Sequence, residues 1–317
     1  MIIPIVLGVT FILFVLMSVV AGSSIGRMPI YGGGDALDSI FEFLRAGENL
    51  ITRFVRYCYN IFFHFDFGRS LSSRRSVSVD LVRYIKNTVF LLLSSVGTTL
   101  IAGIPIGVYS AIRKNRMGDR IINVVTLILS SIPPYTIALL IALFLSVYLR
   151  VLPVISSYNT ARAYIMPTLT IWLGGISTIA RMTRTSMLEV LDKPYIKALR
   201  AKGLKESDVI YKHALKNALV PVIAALGGLV TQLLCGAFVV EHFFNIPGLG
   251  TFILRSVSMR DHYELLGCTV VLTVILTLTN IVVDLLYMFV NPQIKRRSIK
   301  ERFSLTFGFR LKKGEAE

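Results

Sequence analysis

Apolar positions in this chain do not alternate with polar ones at a strand or amphipathic-helix period. They gather into six long stretches almost free of charge: 2–26, 87–112, 121–149, 163–180, 217–240 and 265–294. Asp284 is the one charged residue inside any of them. A helix needs about 20 mostly apolar residues to cross the hydrocarbon of a bilayer, so each stretch predicts one transmembrane helix. Pro105, Pro133, Pro134, Pro167 and Pro221 fall within or at the ends of these runs. Neighbouring helices can re-satisfy the carbonyls that a proline leaves free in a membrane, so the prolines do not break the assignment. A cleaved signal peptide is the competing reading of the first run, since Val20-Ala21-Gly22-Ser23 would suit a peptidase. No positive residue precedes that run, which counts against cleavage.

Composition agrees. Residues of the AVILMFWYC set make up 54% of the chain, charged residues only 16%, and the mean hydropathy is +0.68. That excludes an ordinary soluble domain, which carries about a quarter charged residues, and a disordered chain, which lacks apolar material. The formal charge of +16 could suggest nucleic acid, but its distribution says otherwise. Lys and Arg number four in 113–120, nine in 181–216 and eight from Lys295 onward, against two in each of the short alternate loops. This is positive-inside sorting. It puts both termini in the cytoplasm and excludes a nucleic-acid partner. The 27–86 loop holds nine Lys and Arg, but long loops cross largely regardless of charge. The domains are then a first helix (1–26), an external loop region (27–86), a five-helix core (87–294) with a cytoplasmic loop at 181–216, and a basic cytoplasmic tail (295–317).

Catalytic chemistry is missing. There is no phosphate-cradling G-x-x-x-x-G-K-[ST], no H-E-x-x-H and no G-x-S-x-G. The three cysteines form no C-x-x-C pair, and Cys235 and Cys268 read as core residues of their spans. A transport role fits better than an enzyme. Asp284 lies about a turn from Asn280 and Tyr287, so a structural hydrogen bond explains it without a proton relay. Asn87, Asn123, Gln232 and Asn280 supply polar groups for interhelical bonding or a pore lining.

The loop 181–216 is the most informative segment. Pro194 suits the first turn of a helix, Asp192 is a candidate cap, and Gly203 a stop. Ser207 can cap the next helix. Tyr195, Ala198, Leu199 and Lys202 share one face by i, i+3, i+4, i+7 spacing. This is either an ordinary amphipathic loop helix or a knob that docks into a cytoplasmic partner.

Six segments carry a family resemblance. They are Tyr195-Ile-Lys-Ala-Leu-Arg-Ala-Lys-Gly203 with His213-Ala-Leu-Lys-Asn-Ala-Leu-Val-Pro221; the preceding Ala180 to Leu191; Asp66-Phe-Gly-Arg-Ser70; Ile104-Pro-Ile-Gly107; Glu241-His-Phe-Phe-Asn-Ile-Pro-Gly-Leu-Gly250; and Val283 to Tyr287 with Asn291-Pro292. In this order the chain resembles the B-type permease subunit of the dipeptide/oligopeptide/nickel family of ABC importers, over about residues 1–297. The general EAA-loop pattern of ABC importer permeases has proline at the position of Lys216; here proline comes at Pro221, a variation that resembles this subfamily's.

The resemblance implies an all-α membrane protein of the ABC importer permease fold, with a cytoplasmic coupling helix between spans 4 and 5. It implies no cofactor and no catalytic or metal site in this chain. Implied partners are a second permease subunit, two ATPase subunits, an external substrate-binding protein and membrane lipid, in a bacterial or archaeal cytoplasmic membrane. Tyr195, Ala198, Leu199, Arg200, Lys202 and Gly203 would couple to the ATPase. Glu241, Phe244, Pro247, Gly248 and Gly250 would form an outer gate, with Phe243, Ile246, Leu249 and Phe252 either plugging the mouth or filling an interface. The cargo implied is di- or oligopeptide; nickel, glutathione and oligosaccharide are the alternatives, and a self-sufficient secondary carrier is the alternative from another class. The acid–histidine pairs Glu241-His242 and Asp261-His262 read as family signature and loop rather than as a metal site. Phe303, Phe307 and Phe309 in the tail either rest on the inner leaflet or are solvated.

Overall fold

The computed structural model describes residues 2–24, 49–154 and 160–290. The tail 295–317 and the whole 27–48 segment lie outside the described residues. Among the described residues ten α-helices follow in order: α1 (Ile2–Ser24), α2 (Leu50–His64), α3 (Val77–Ile112), α4 (Met117–Ser131), α5 (Pro134–Ala142), α6 (Ile165–Leu191), α7 (Pro194–Ala201), α8 (Leu215–Phe243), α9 (Leu249–Ser258) and α10 (His262–Val290). A π-helical stretch, Leu143–Tyr148, continues α5, and another, Asp208–Ala214, leads into α8. Among the described residues the β structure is one isolated bridge, Arg69 to Ser76.

Among the described residues four helical stretches are long and apolar enough to cross a membrane: Val77–Ile112, Ala161–Leu191, Asp208–Phe243 and His262–Phe289. The predicted span at 121–149 is not one straight helix. α4 and the α5 stretch meet at 103°, because Pro133 and Pro134 remove two consecutive backbone donors and force Ile132 into an extended conformation. Counted as one broken span, the pair makes five. Pro105 and Pro221, standing singly, remain inside continuous helices. Helices also outrun the charge-free runs. α3 starts at Val77 rather than Asn87, and α6 continues to Leu191 past Arg181 and Arg184.

Close packing of α3 on α6 makes the spine of the bundle. Gly103 and Gly107, one turn apart on α3, lie against Ile179 and against the Ala180 carbonyl and Thr183; a side chain at either would collide. Small residues at i and i+4 let two backbones approach where no hydrophobic drive separates helix from lipid. Around this spine α8 and α10 complete a main core that includes Leu91, Ile179, Leu229, Leu234 and Leu266. A second, smaller core at one end of the bundle gathers Val108, Ala111, Met187, Ile196, Val209, Ile210, Ala214 and Ala218.

Several local expectations change. Cys235 is exposed on α8, not buried; Cys268 is buried. Asp284 is exposed on α10 and makes no hydrogen bond among the described residues. Asp192 closes α6 instead of capping α7, and Ser207 is already helical and makes no side-chain cap.

Candidate functional site

Two groups of predicted residues lie at opposite ends of the bundle. At one end, α7 starts with Pro194 at its first turn and stops before Gly203, whose φ is +76°. Nothing lies within 4 Å of a Cβ placed on Gly203, so glycine is required there by backbone conformation and not by space. Ile196 is fully buried in the small core, with Leu199 and Leu204 packed beside it. Leu199 therefore turns partly toward the protein, while Tyr195, Ala198, Arg200, Lys202 and Gly203 stay exposed. Arg200 forks onto Glu206, Nη2 to Oε1 at 2.7 Å and Nε to Oε2 at 3.1 Å. That pairing holds the Glu206 carboxyl below its ordinary range. Asn217 Nδ2 donates to the Tyr195 hydroxyl at 3.0 Å. The small core contains residues of α3, α6, α7 and α8, so α7 is seated on three of the long helices.

Sequence reading missed a clamp near this end. Asp119, 2% exposed, opens α4 and accepts five hydrogen bonds. Ser110 Oγ, Asn123 Nδ2 and Arg184 Nε donate to Oδ1 at 2.5, 2.8 and 2.7 Å. Asn115 N and Arg184 Nη2 each donate to Oδ2 at 2.9 Å. One carboxylate thus ties α3, α4 and α6 together. Such a pair is sound when buried only because every lone pair is used. Asp119 belongs to no local motif, and nothing in the Ala180–Leu191 segment marks Arg184 as its partner 65 residues away.

At the other end, Glu241 sits in the last turn of α8 with no exposed surface. α8 ends with Asn245 at φ +53°, and Ile246 N donates back to the Glu241 carbonyl at 2.8 Å. The chain then reverses into α9, so the Glu241 side chain faces the α9 N-terminus. Gly250 N donates to its Oε2 at 2.8 Å, and Thr88 Oγ1 donates to its Oε1 at 2.6 Å. Leu249 N in turn donates to Thr88 Oγ1 at 2.7 Å. A carboxylate here satisfies orphan donors of the first turn and complements its dipole. A Cβ on Gly248 would fall on the Glu241 carboxylate, and one on Gly250 on the Phe238 backbone. This explains both glycines of the signature by close approach alone. Asn87 Nδ2 donates to the Pro247 carbonyl at 2.8 Å, and the Tyr164 hydroxyl donates to Asn87 Oδ1 at 2.9 Å. Tyr84 stacks on Phe252 at 4.5 Å.

The structure therefore brings Glu241, Pro247, Gly248 and Gly250 together. Phe244, Ile246, Leu249 and Phe252 are all buried in the main core. Thr88 and Tyr164 were not legible as site residues. Asn87 carried only a general signal, a polar group in an apolar run.

A second latch explains the Asp66–Ser70 segment. Asp66 Oδ1 accepts from Gly68 N at 2.9 Å, and Ser70 Oγ donates to Asp261 Oδ2 at 2.7 Å. Asp261, 1% exposed, also accepts from Ser72 N at 3.0 Å and Glu264 N at 3.2 Å, capping α10. Both acids of the acid–histidine pairs are thus committed to structural bonds. Among the described residues no group of three His, Cys, Asp or Glu could hold a metal ion.

A buried helical core, apolar stretches long enough to cross a membrane and a short exposed helix seated on three long ones are the features of a polytopic membrane protein. The chain belongs to the family of binding-protein-dependent transport system inner membrane components, which matches residues 103–296. It is 35% identical over 292 residues to the dipeptide transport system permease protein DppB of Bacillus subtilis (strain 168), covering 92% of this chain and 94% of that one. It is 34% identical over 244 residues to the glutathione transport system permease protein GsiC of Escherichia coli (strain K12), covering 75% and 79%. In fold it is similar to a chain from the inward-facing MetNI methionine ABC transporter, with a TM-score of 0.57, 20% identity, and 67% of this chain and 96% of that chain covered. This protein is an ABC importer permease subunit; ATP hydrolysis resides on separate subunits.

Proposed function

We propose that this chain forms half of the translocation pathway of an importer for di- and oligopeptides. The similarity to a dipeptide permease over 92% of the chain carries the cargo reading. Glutathione, the cargo named for other relatives, is itself a modified tripeptide. A second permease subunit completes the pathway, ATPase subunits bind on the cytoplasmic side, and a substrate-binding protein delivers cargo outside.

In this reading α1 and the broken α4–α5 pair join the four long helices to make six spans, with both termini cytoplasmic. The lysine and arginine sorting supports it. The α7 end is then cytoplasmic. The exposed face of α7, with Tyr195, Ala198 and Lys202, meets the ATPase, while Ile196 and Leu199 bind α7 to the body. ATP-driven closure of the ATPase pair displaces α7 and with it α3, α6 and α8, shifting the population between inward- and outward-open states. The Glu241–Gly250 turn closes the external end, anchored by Thr88 and Asn87.

Reconstitution with the partner subunits tests the function. ATP-dependent accumulation of a labelled dipeptide is expected, with nickel uptake at background. Uptake driven by a proton gradient without ATP would refute the importer. ATP-dependent uptake of nickel alone would refute the cargo.

A further inference from the structure

We infer that α2 lies in the membrane surface with its axis in the plane of the bilayer, and that its uncovered apolar face rests in the lipid of the leaflet at the α9 end. At 100° per residue the helix divides into three sectors. Leu50, Phe54, Tyr57 and Ile61 form the first, turned to the protein; Tyr57 and Ile61 are buried in the main core. Ile51, Val55, Tyr59, Phe62 and Phe63 form the second and are all exposed, Ile51 at 68% and Phe63 at 73%. Phe65, just past the helix, is 76% exposed. Arg53, Arg56, Asn60 and His64 form the third.

The second and third sectors both run the whole length of the helix. A boundary between lipid and water that follows the helix along its length must be parallel to its axis. A spanning helix would instead be apolar around its waist and polar at its ends. Water is on the third side for a further reason. Asn60 and His64 line a polar cavity of about 860 Å3, shared with Arg69, Ser76 and Ser78 of the following loop. An aromatic-rich face beside a basic one is the composition of an interfacial helix, whose apolar side sinks about 5–10 Å into the headgroup and acyl boundary.

Continuity with the bundle fixes the depth. Phe54 packs edge-on against Phe11 and Phe14 of α1, at 5.0 and 5.7 Å between ring centroids. Phe11 is itself exposed, beside exposed Val9, Ile12 and Leu16, so the uncovered side of α2 continues the uncovered apolar side of α1. Tyr57 lines the same cavity as Tyr263, in the first turn of α10. α2 therefore sits within one leaflet, near its polar boundary.

The experiment uses the assembled importer in vesicles of phosphatidylethanolamine and phosphatidylglycerol. Trp172, the single tryptophan of this chain, and the tryptophans of the partner subunits are replaced by phenylalanine, and one tryptophan is returned by Phe63→Trp, Ile51→Trp or Asn60→Trp. Lipid brominated near the headgroup end of its chains should quench the Phe63→Trp and Ile51→Trp proteins equally, as expected of an interfacial helix whose apolar face lies about 5–10 Å deep. Lipid brominated near the chain end should quench both less, and the Asn60→Trp protein should be quenched little by either. Unequal depths at the two ends of the helix would overturn the in-plane placement. Absence of quenching at both would show that protein covers this face, from the permease partner, the binding protein or residues 25–48. The readout is independent of cargo and of which side of the membrane α2 occupies, so it does not stand or fall with the proposed function.

Discussion

Replacing Thr88 by valine isolates the chemistry of the Glu241 turn from its packing. Valine has the shape of threonine, so no cavity opens. What is lost is one hydroxyl that donates to Glu241 Oε1 at 2.6 Å and accepts from Leu249 N at 2.7 Å. Thr88 has no exposed surface, and neither does Glu241, so water cannot step in. A hydrogen bond to a charged group contributes about 1.5–3 kcal/mol, and a buried donor left alone costs about 1–3 kcal/mol. Together they give roughly 2.5–6 kcal/mol. Were the site only a packed apolar junction, the same substitution would be neutral or stabilising, so the two accounts differ in sign. Thr88→Ser keeps the hydroxyl and removes one methyl, at about 1 kcal/mol. The assay is the thermal midpoint of the purified complex together with dipeptide uptake. Thr88→Val should lower the midpoint by several degrees and reduce uptake, and Thr88→Ser should do little of either. Equal midpoints for valine and wild type would refute the turn's dependence on this hydrogen-bonded junction.

Four further predictions bear on the other end of the molecule and on topology. Asp119→Asn leaves one acceptor oxygen where five donors converge and should cost about 3 kcal/mol, as for a broken buried pair, while Arg184→Lys, which keeps the charge, should cost less; indistinguishable midpoints would show that the clamp is idle. Gly203→Val should preserve membrane insertion but abolish ATPase-coupled uptake through strain at positive φ, and Tyr195→Asp should weaken copurification of the ATPase; normal uptake and assembly in both would remove α7 from the coupling role. Arg75→Cys should react with an impermeant maleimide in intact cells and Lys114→Cys only after permeabilisation, in a chain with Cys58 and Cys235 replaced; the reverse pattern would invert the topology. The Arg200–Glu206 pair sets a pH expectation with a definite sign. Its partner arginine lowers the Glu206 carboxyl, so the pair's contribution is present above the ordinary glutamate range and lost as pH falls through the lowered value; ATPase coupling should be flat from neutral to mildly acidic pH.

What the sequence determined by itself is the part that depends on local composition. Charge-free runs give helices because backbone polar groups in lipid must be satisfied within the helix, and four of the six runs fall in stretches long and apolar enough to cross a membrane. Pro194 and Gly203 bound α7 through their own backbone preferences, and the motifs from Asp66 to Gly250 identify the family. Tertiary structure decided everything that depends on which residues meet. Glu241 is legible as a signature residue, but its role as the acceptor at the start of α9 depends on Thr88, 153 residues away. Leu199 is on the predicted face by spacing, yet it turns toward a core assembled from α3, α6 and α8. Asp119 and Arg184 are two unremarkable charges until α4 and α6 pack. The break at Pro133 and Pro134 shows the boundary between the two kinds of knowledge. Proline chemistry says a helix can break there, but single prolines at 105 and 221 leave theirs continuous. Two adjacent missing donors interrupt the helix, and the packing around the bend decides that the chain turns by 103°.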